Sequence, residues 1–88
     1  MTAMVQTVSI TVLLFGACRE AAGTESLTIR LPAPVDVARA FAHLRQRIPQ
    51  LEYFERSLLF AVNEEHARPD QPLKDGDTLA IFPPVSGG

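Results

Sequence analysis

The sequence has little that would support disulfides, nucleic-acid binding or attachment to a charged membrane. Its single cysteine, Cys18, has no second cysteine to pair with, which excludes an internal disulfide and fits a reducing cytosol. The 8 basic and 10 acidic residues give a net charge of −2, so no excess of positive charge favours nucleic acid or anionic lipid. We expect a cytoplasmic protein that binds neither nucleic acid nor membrane.

A long hydrophobic segment is also missing. The most apolar run, from Thr7 to Cys18, is shorter than the roughly 20 apolar residues that span a bilayer. Ser9 and Thr11 interrupt it at alternate positions, and no Lys or Arg precedes Arg19 to form the basic start of a signal peptide. We therefore predict neither a membrane span nor a signal peptide in this run.

Motifs for catalysis or metal binding are absent as well. His43 and His66 lack the spacing of metal ligands, so we predict no metal site. Glu64-Glu65 is interpreted as a charge pair in a loop, and Asp75 and Asp77 as turn residues, without a role in acid–base chemistry. No glycine-rich phosphate loop is present, so any ATP must be held by a partner.

The 88 residues are enough for one small domain, which buries about 60–65% of the surface that its unfolded chain exposes. Apolar residues alternate over Thr7–Leu14 and again over Leu27–Leu31, as in strands with one buried face. We predict that these two strands form a hairpin, with a loop through Gly16 and Gly23 between them.

A helical period follows the second strand. It begins near Val35, directly after Pro34, and Pro49 ends it. The residues that share its apolar stripe are Val37, Ala38, Phe41, Leu44 and Ile48. We therefore predict one main helix between the two prolines, without a Ser or Thr cap.

The remaining residues predict two more strands. Leu51–Arg56 suggests a turn or a short helical piece, and residues 58–62 alternate as in a strand. Glu64–Gln71 is polar, and we expect a loop there. A turn at Lys74–Asp77 leads into the last strand, Thr78–Phe82.

This order of elements indicates an α+β fold, in which a mixed sheet carries one main helix on one face, as in the β-grasp arrangement. We place a single domain at 1–82 and a projecting C-terminal tail at 83–88. The helix is expected to pack on Val8, Ile10, Val12, Leu27, Ile29, Leu79 and Ile81. Phe15, Ala80 and Phe82 have the opposite parity, so Phe15 and Phe82 should meet on the outer face and contact a partner protein.

The most informative segment is the tail, Pro83-Pro84-Val85-Ser86-Gly87-Gly88. Proline has no backbone N–H for a sheet, so the chain must leave the last strand and project outward. Glycine lets a foreign backbone or nucleotide approach closely, which suits a narrow channel that leads to a reactive centre. The reacting group would be the carboxylate of Gly88, whereas a frayed terminus is the alternative for such residues.

Motifs along nearly the whole chain resemble those of the small, sulfur-carrying subunits of molybdopterin synthase, a family of ubiquitin-like β-grasp proteins. The matching segments are Val12-Leu13-Leu14-Phe15, Arg19-Glu20-Ala21, Leu31-Pro32, Ala61-Val62-Asn63, Leu73–Asp77 and Phe82–Gly88. The last of these is the specific part, because Gly-Gly alone is a weak signal. The departures are mild: Gly16 stands where the family often has alanine, and a few extra residues precede Val8.

The resemblance implies a sulfur carrier in molybdenum cofactor biosynthesis. An ATP-dependent enzyme would adenylate Gly88, a sulfur donor would convert it to a thiocarboxylate, and the sulfur would pass to cyclic pyranopterin monophosphate. It further implies two such chains on a dimer of large subunits that hold the catalytic pocket, so this chain alone is neither an enzyme nor the holder of a cofactor. Arg19 becomes a candidate for an interface ion pair, whereas Cys18 is not expected to carry the sulfur.

Three alternatives stay open. One is a sulfur carrier for thiazole or another thio-cofactor, although such chains usually lack the Phe82-Pro83-Pro84 segment. Another is a ubiquitin-like modifier, whose activated glycine is transferred to a lysine. The third is a binding module without chemistry.

Overall fold

The computed structural model describes residues 6–54 and 57–83. Its elements follow the chain in the order β1 (Thr7–Leu14), α1 (Gly16–Ala22), β2 (Ser26–Pro32), β3 (Val35–Asp36), α2 (Val37–Arg47), a 3₁₀ helix (Pro49–Phe54), β4 (Leu59–Val62), β5 (Glu65–Ala67), β6 (Pro72–Leu73) and β7 (Thr78–Phe82).

The main sheet has five strands in the order β2-β1-β7-β4-β5, and only its central pair, β1 and β7, is parallel. The predicted hairpin of β1 and β2 is confirmed, with Ile10 opposite Ile29. A separate two-stranded ladder joins β3 to β6. The first and last strands therefore lie side by side at the centre of the domain.

The core lies between the sheet and α2. Alternate residues of the central strands are almost inaccessible to solvent: Ile10, Val12, Leu79 and Ile81 are each 0% exposed. Burying a large aliphatic side chain contributes about 1.5–3 kcal/mol. Of the residues predicted to face the helix, Leu27 is half-buried against this core and the others are buried. The predicted mixed sheet with a helix on one face is confirmed.

The main helix begins later than predicted. Val35 and Asp36 do not continue the helix but pair with Leu73 and Pro72. The Asp36 carboxylate then caps α2, because it accepts a hydrogen bond of 2.8 Å from the backbone N–H of Arg39. A prolyl start was therefore wrong: Asp36, two residues further on, caps the helix, while the N–H groups of Val37 and Ala38 donate to the carbonyls of Gln71 and Pro69.

The buried stripe of α2 also differs by one position. Val37, Ala40, Phe41 and Leu44 are buried, whereas Ala38 is exposed. Residues three or four apart share a face of a helix, and the residue next to Val37 points about 100° away. Ala38 was therefore wrongly placed on the stripe.

The predicted loop between β1 and β2 is a short helix, α1. It ends at Gly23, whose φ of 74° is left-handed and whose N–H donates to the Arg19 carbonyl at 2.9 Å. Cys18 is the residue that α1 buries. The six residues between Gly16 and Gly23 are too few for a hydrophobic period that distinguishes a helix from a loop.

The polar stretch predicted as a loop contains β5. Asn63 and Glu64 have positive φ values of 51° and 71°, as in the tight turn that suits a two-residue hairpin. Backbone pairing of Phe60 with Ala67 then builds the strand, although its other residues are exposed. The hydrophobic pattern could not reveal a strand whose stability comes from main-chain hydrogen bonds.

Two smaller predictions are confirmed. A 3₁₀ helix covers residues 51–54, while Glu55 and Arg56 lie outside the described residues. The turn before β7 contains Gly76 at a φ of 90°. That turn is held by Asp77, whose two carboxylate oxygens accept from Asn63 Nδ2 at 2.9 Å and from the Lys74 N–H at 2.7 Å.

Replacing Asp77 by alanine should lower the free energy of unfolding by about 1–3 kcal/mol, because two charge-assisted hydrogen bonds are lost, one within its own turn and one to the turn at Asn63. Urea denaturation measures the change. Asp70→Ala, at an exposed aspartate, is the control and should cost less than about 0.5 kcal/mol. Equal costs for the two variants would show that the turns do not depend on Asp77.

Candidate functional site

An apolar patch covers part of the sheet face that points away from α2. Its members come from the end of β1 and from β4 and β7, because directly paired residues share a face: Leu13 pairs with Ala80, Ala80 with Ala61, and Phe82 with Leu59. Together with Phe15, these residues form what we call the outer patch: Leu13, Phe15, Leu59, Ala61, Ala80 and Phe82.

The aromatic pair at the centre of this patch was predicted from parity and is confirmed. The rings of Phe15 and Phe82 are stacked, with centroids 4.6 Å apart and planes 12° from parallel. Phe15 is 41% exposed and Leu59 is 50% exposed, although both are large and apolar. An apolar surface of this kind is typical of a protein–protein contact.

A shallow groove of about 620 Å³ runs across the outer patch. At its polar end lie Asn63, Glu64 and Thr78. The Asn63 side chain is already used within the fold, since its Oδ1 accepts from the Thr78 N–H at 3.0 Å. The groove therefore offers a hydrophobic floor with one free carboxylate at its rim, and it has no arrangement of groups for catalysis.

The tail leaves the sheet at the edge of the same patch. The N–H of Phe15 donates to the Ile81 carbonyl at 3.2 Å, which fixes the last strand next to the start of α1. Phe82 is the last residue of β7, and Pro83 follows it, half-buried. Pro84, Val85, Ser86, Gly87 and Gly88 lie outside the described residues, so their predicted role stays a prediction.

Arg19, the third residue predicted to contact a partner, lies exposed on α1. It lines a separate depression of about 320 Å³ with Phe15 and Glu25. Its guanidinium is therefore close to the outer patch and available to a partner, and its proposed ion pair stays a prediction.

Cys18 is poorly suited to carry sulfur. Its side chain is 0% exposed, and burial raises the pKa of the thiol, which disfavours the nucleophilic thiolate. His43 is half-buried on α2 and His66 is exposed on β5. Among residues 6–54 and 57–83, no group of three or more His, Cys, Asp or Glu side chains is arranged to hold a metal ion.

Leu59 and Ala61 belong to the outer patch, although they were not predicted from the sequence. Leu59 and Ala61 alternate with the buried residues of β4, so the same parity argument that found Phe82 applies to them. Gly16 was assigned to a loop, but it lies at the start of α1 against Pro83.

Within the described part of the chain, the helices are too short or too polar to cross a membrane.

The family model that matches this chain is that of the ThiS family, over residues 12–88. A molybdopterin synthase sulfur carrier subunit of Arabidopsis thaliana is 36% identical over 81 residues, which cover 92% of this chain and 84% of the relative. The subunit of the same name in Chlamydomonas reinhardtii is 38% identical over 81 residues, covering 90% and 98%. The family resemblance noted in the sequence is confirmed.

Solved structures agree with the fold. Small archaeal modifier protein 1 from Methanosarcina acetivorans superposes with a TM-score of 0.78 at 32% identity, covering 94% of this chain and 99% of that one. Subunit 1 in a complex of subunits 1 and 2 of the molybdopterin-converting factor from Helicobacter pylori gives a TM-score of 0.65 at 27% identity, covering 92% and 100%. The predicted β-grasp fold is confirmed.

Proposed function

Because the chain belongs to the ThiS family, whose model it matches through its terminal residue, we propose that it is the sulfur carrier subunit of a molybdopterin synthase. The observation that carries the proposal is the family match itself, which spans both the outer patch and the Gly-Gly tail. The curated relatives named above carry the molybdopterin synthase name, which favours a pterin over a thiazole as the acceptor of sulfur.

The chemistry proposed for the tail begins with an unreactive group. The carboxylate of Gly88 is a poor electrophile, so an ATP-dependent activating enzyme first joins it to AMP and releases pyrophosphate. AMP is a good leaving group, and sulfur from a donor protein replaces it to give a thiocarboxylate. That sulfur then attacks cyclic pyranopterin monophosphate, and water hydrolyses the resulting thioester, which leaves the sulfur on the pterin and regenerates the Gly88 carboxylate. Two such transfers complete the dithiolene of molybdopterin.

The chain's own residues contribute position and docking. The outer patch binds the large subunit, and Phe15 and Phe82 are its central anchors, since buried aromatic residues dominate the energy of most interfaces. Arg19 adds a charge at the rim of the contact. The large subunit holds the pterin in this proposal, and the Helicobacter pylori complex of subunits 1 and 2 supports a partner of this kind. Two copies of each subunit form the proposed complex.

The proposal is tested by intact mass spectrometry after incubation of the chain with ATP, the activating enzyme and a sulfur source. We expect one oxygen to be replaced by sulfur, about 16 Da heavier, because a carboxylate becomes a thiocarboxylate. Fragmentation should place the change at Gly88. A product without added sulfur, although AMP is released, would contradict the proposal.

Cys18→Ala serves as the matched variant for this experiment. Alanine is preferred to serine because a hydroxyl group would be buried without a partner at a position that is 0% exposed. The variant should accept sulfur to the same extent as the parent protein. Sulfur that maps to Cys18, or that disappears in the variant, would overturn the carboxylate mechanism.

A second candidate function rests on the likeness to the archaeal modifier protein, at 32% identity. A modifier would use the same acyl-adenylate but transfer Gly88 to a lysine of another protein. Incubation with a cell extract, ATP and the activating enzyme distinguishes the two. Isopeptide-linked conjugates without pterin product would favour the modifier, whereas thiocarboxylate and molybdopterin without conjugates would favour the sulfur carrier.

A further inference from the structure

The start of α1 and the start of the tail lie side by side. In the parallel ladder Leu13 pairs with Ala80 and Leu14 with Ile81. Continuing that register places Phe15 beside Phe82 and Gly16 beside Pro83. The stacked rings confirm the first contact, and the second is confirmed by the proximity of Gly16 to the Pro83 ring.

The contact at Gly16 is too close for a side chain unless the Pro83 ring shifts. A Cβ atom added there would lie 3.0 Å from Pro83 Cγ and 3.6 Å from Pro83 Cδ. The pyrrolidine ring cannot swing away as the end of a long side chain would, because it is closed onto its own backbone. A methyl group at position 16 must therefore displace the Pro83 ring by a few tenths of an ångström, and that ring is bonded to the backbone from which the tail starts.

We infer that Gly16 is a positioning residue, which seats the Pro83 ring and thereby sets the direction in which the tail leaves the domain. The inference rests on the proposed function, because the direction of the tail affects a reaction rate only if Gly88 takes part in a reaction.

Two other glycines allow the contact to be separated from backbone strain. Gly16, Gly23 and Gly76 all have positive φ, at 54°, 74° and 90°. A Cβ atom on Gly23 or Gly76 would meet nothing within 4 Å. Alanine at any of the three strains the backbone, but only at Gly16 does it also push on the tail.

The test compares Gly16→Ala with Gly23→Ala in a single-turnover assay, in which the thiocarboxylated protein reacts with the large subunit and cyclic pyranopterin monophosphate. We expect the rate at saturating large subunit to fall about tenfold for Gly16→Ala, since a misplacement of about 1 Å can cost on the order of 100-fold. Gly23→Ala should stay within about twofold of the parent protein. Equal rates for the two variants would overturn the inference.

A second comparison removes the Pro83 ring. In a Pro83→Ala background the atoms that meet the new methyl group are gone, so Gly16→Ala should change the saturating rate by less than about twofold. A tenfold loss in both backgrounds would show that strain at Gly16, and not its contact with Pro83, is responsible. That result would also overturn the inference.

A measurement without turnover separates this inference from the proposed function. Nitroxide labels are attached at Arg30→Cys and Ser86→Cys, while the buried Cys18 is left in place. The distribution of distances between the labels should shift in Gly16→Ala and coincide with the parent in Gly23→Ala. If the distance distribution shifts in Gly16→Ala but the parent protein forms no thiocarboxylate, the proposed function is wrong and the positioning role is retained. If the distribution does not shift, the positioning role is wrong.

Discussion

Deletion of Gly88 should abolish molybdopterin formation while folding and binding persist. The six residues from Pro83 to Gly88 span at most about 20 Å when extended, at 3.3–3.6 Å per residue. Loss of one residue withdraws the reacting carboxylate by more than 3 Å, and displacements of about 1 Å already cost on the order of 100-fold in rate. A purified assay with the large subunit measures product, and calorimetry measures binding.

Extension of the chain by one residue after Gly88 is the matched variant, because it moves the carboxylate the same distance in the other direction. It should fail as completely as the deletion. Gly87→Val should also fail, although its carboxylate stays in place, because a channel shaped for bare backbone does not admit a branched side chain. Full synthesis by the deleted or the extended chain would make an inserted tail untenable.

Phe82→Ala and Ile81→Ala should have opposite effects, although the two residues are neighbours. Ile81 is 0% exposed, so its truncation leaves a cavity and should lower the free energy of unfolding by about 2–5 kcal/mol. Phe82 is half-buried and contacts Phe15 on the outer patch. Its truncation should cost about 1–2.5 kcal/mol of stability, from the stacked pair together with the burial of only part of the ring.

Binding should show the reverse order. Truncation of an aromatic residue at the centre of an interface costs about 2 kcal/mol or more, which weakens the affinity of Phe82→Ala for the large subunit roughly 30-fold. Ile81→Ala, at a temperature where it is folded, should bind within about threefold of the parent. Equal affinities of Phe82→Ala and the parent in calorimetry would remove the outer patch from the proposed interface.

The strands of the central sheet could be predicted because their side chains are sorted by burial. In β1 and β7 every second residue enters the core, so the pattern in the sequence and the physical cause of the strand coincide. The same parity predicts from the sequence alone that Phe15 and Phe82 lie on the outer face. Leu59 follows from the identical rule, and only its exposure had to come from the structure.

Other elements are determined by forces that leave little trace in the hydrophobic pattern. The strand β5 forms because Asn63 and Glu64 turn the chain back onto β4, whereas burial of its side chains contributes little. The start of α2 depends on the side-chain hydrogen bond of Asp36, and a proline nearby gave a competing signal. The contact of Gly16 with Pro83 joins residues far apart in the chain, so no local sequence pattern indicates it.

The parallel pairing of β1 with β7 has a mechanical consequence. A partner that holds the tail, as proposed, and then moves away pulls along β7, parallel to β1. The four residue pairs between these strands then resist as a group, in shear, because the force runs parallel to the strands and across their hydrogen bonds. The antiparallel pairs between β7 and β4 are loaded along the same direction, so both neighbours of β7 resist tension on the strand from which the tail is pulled.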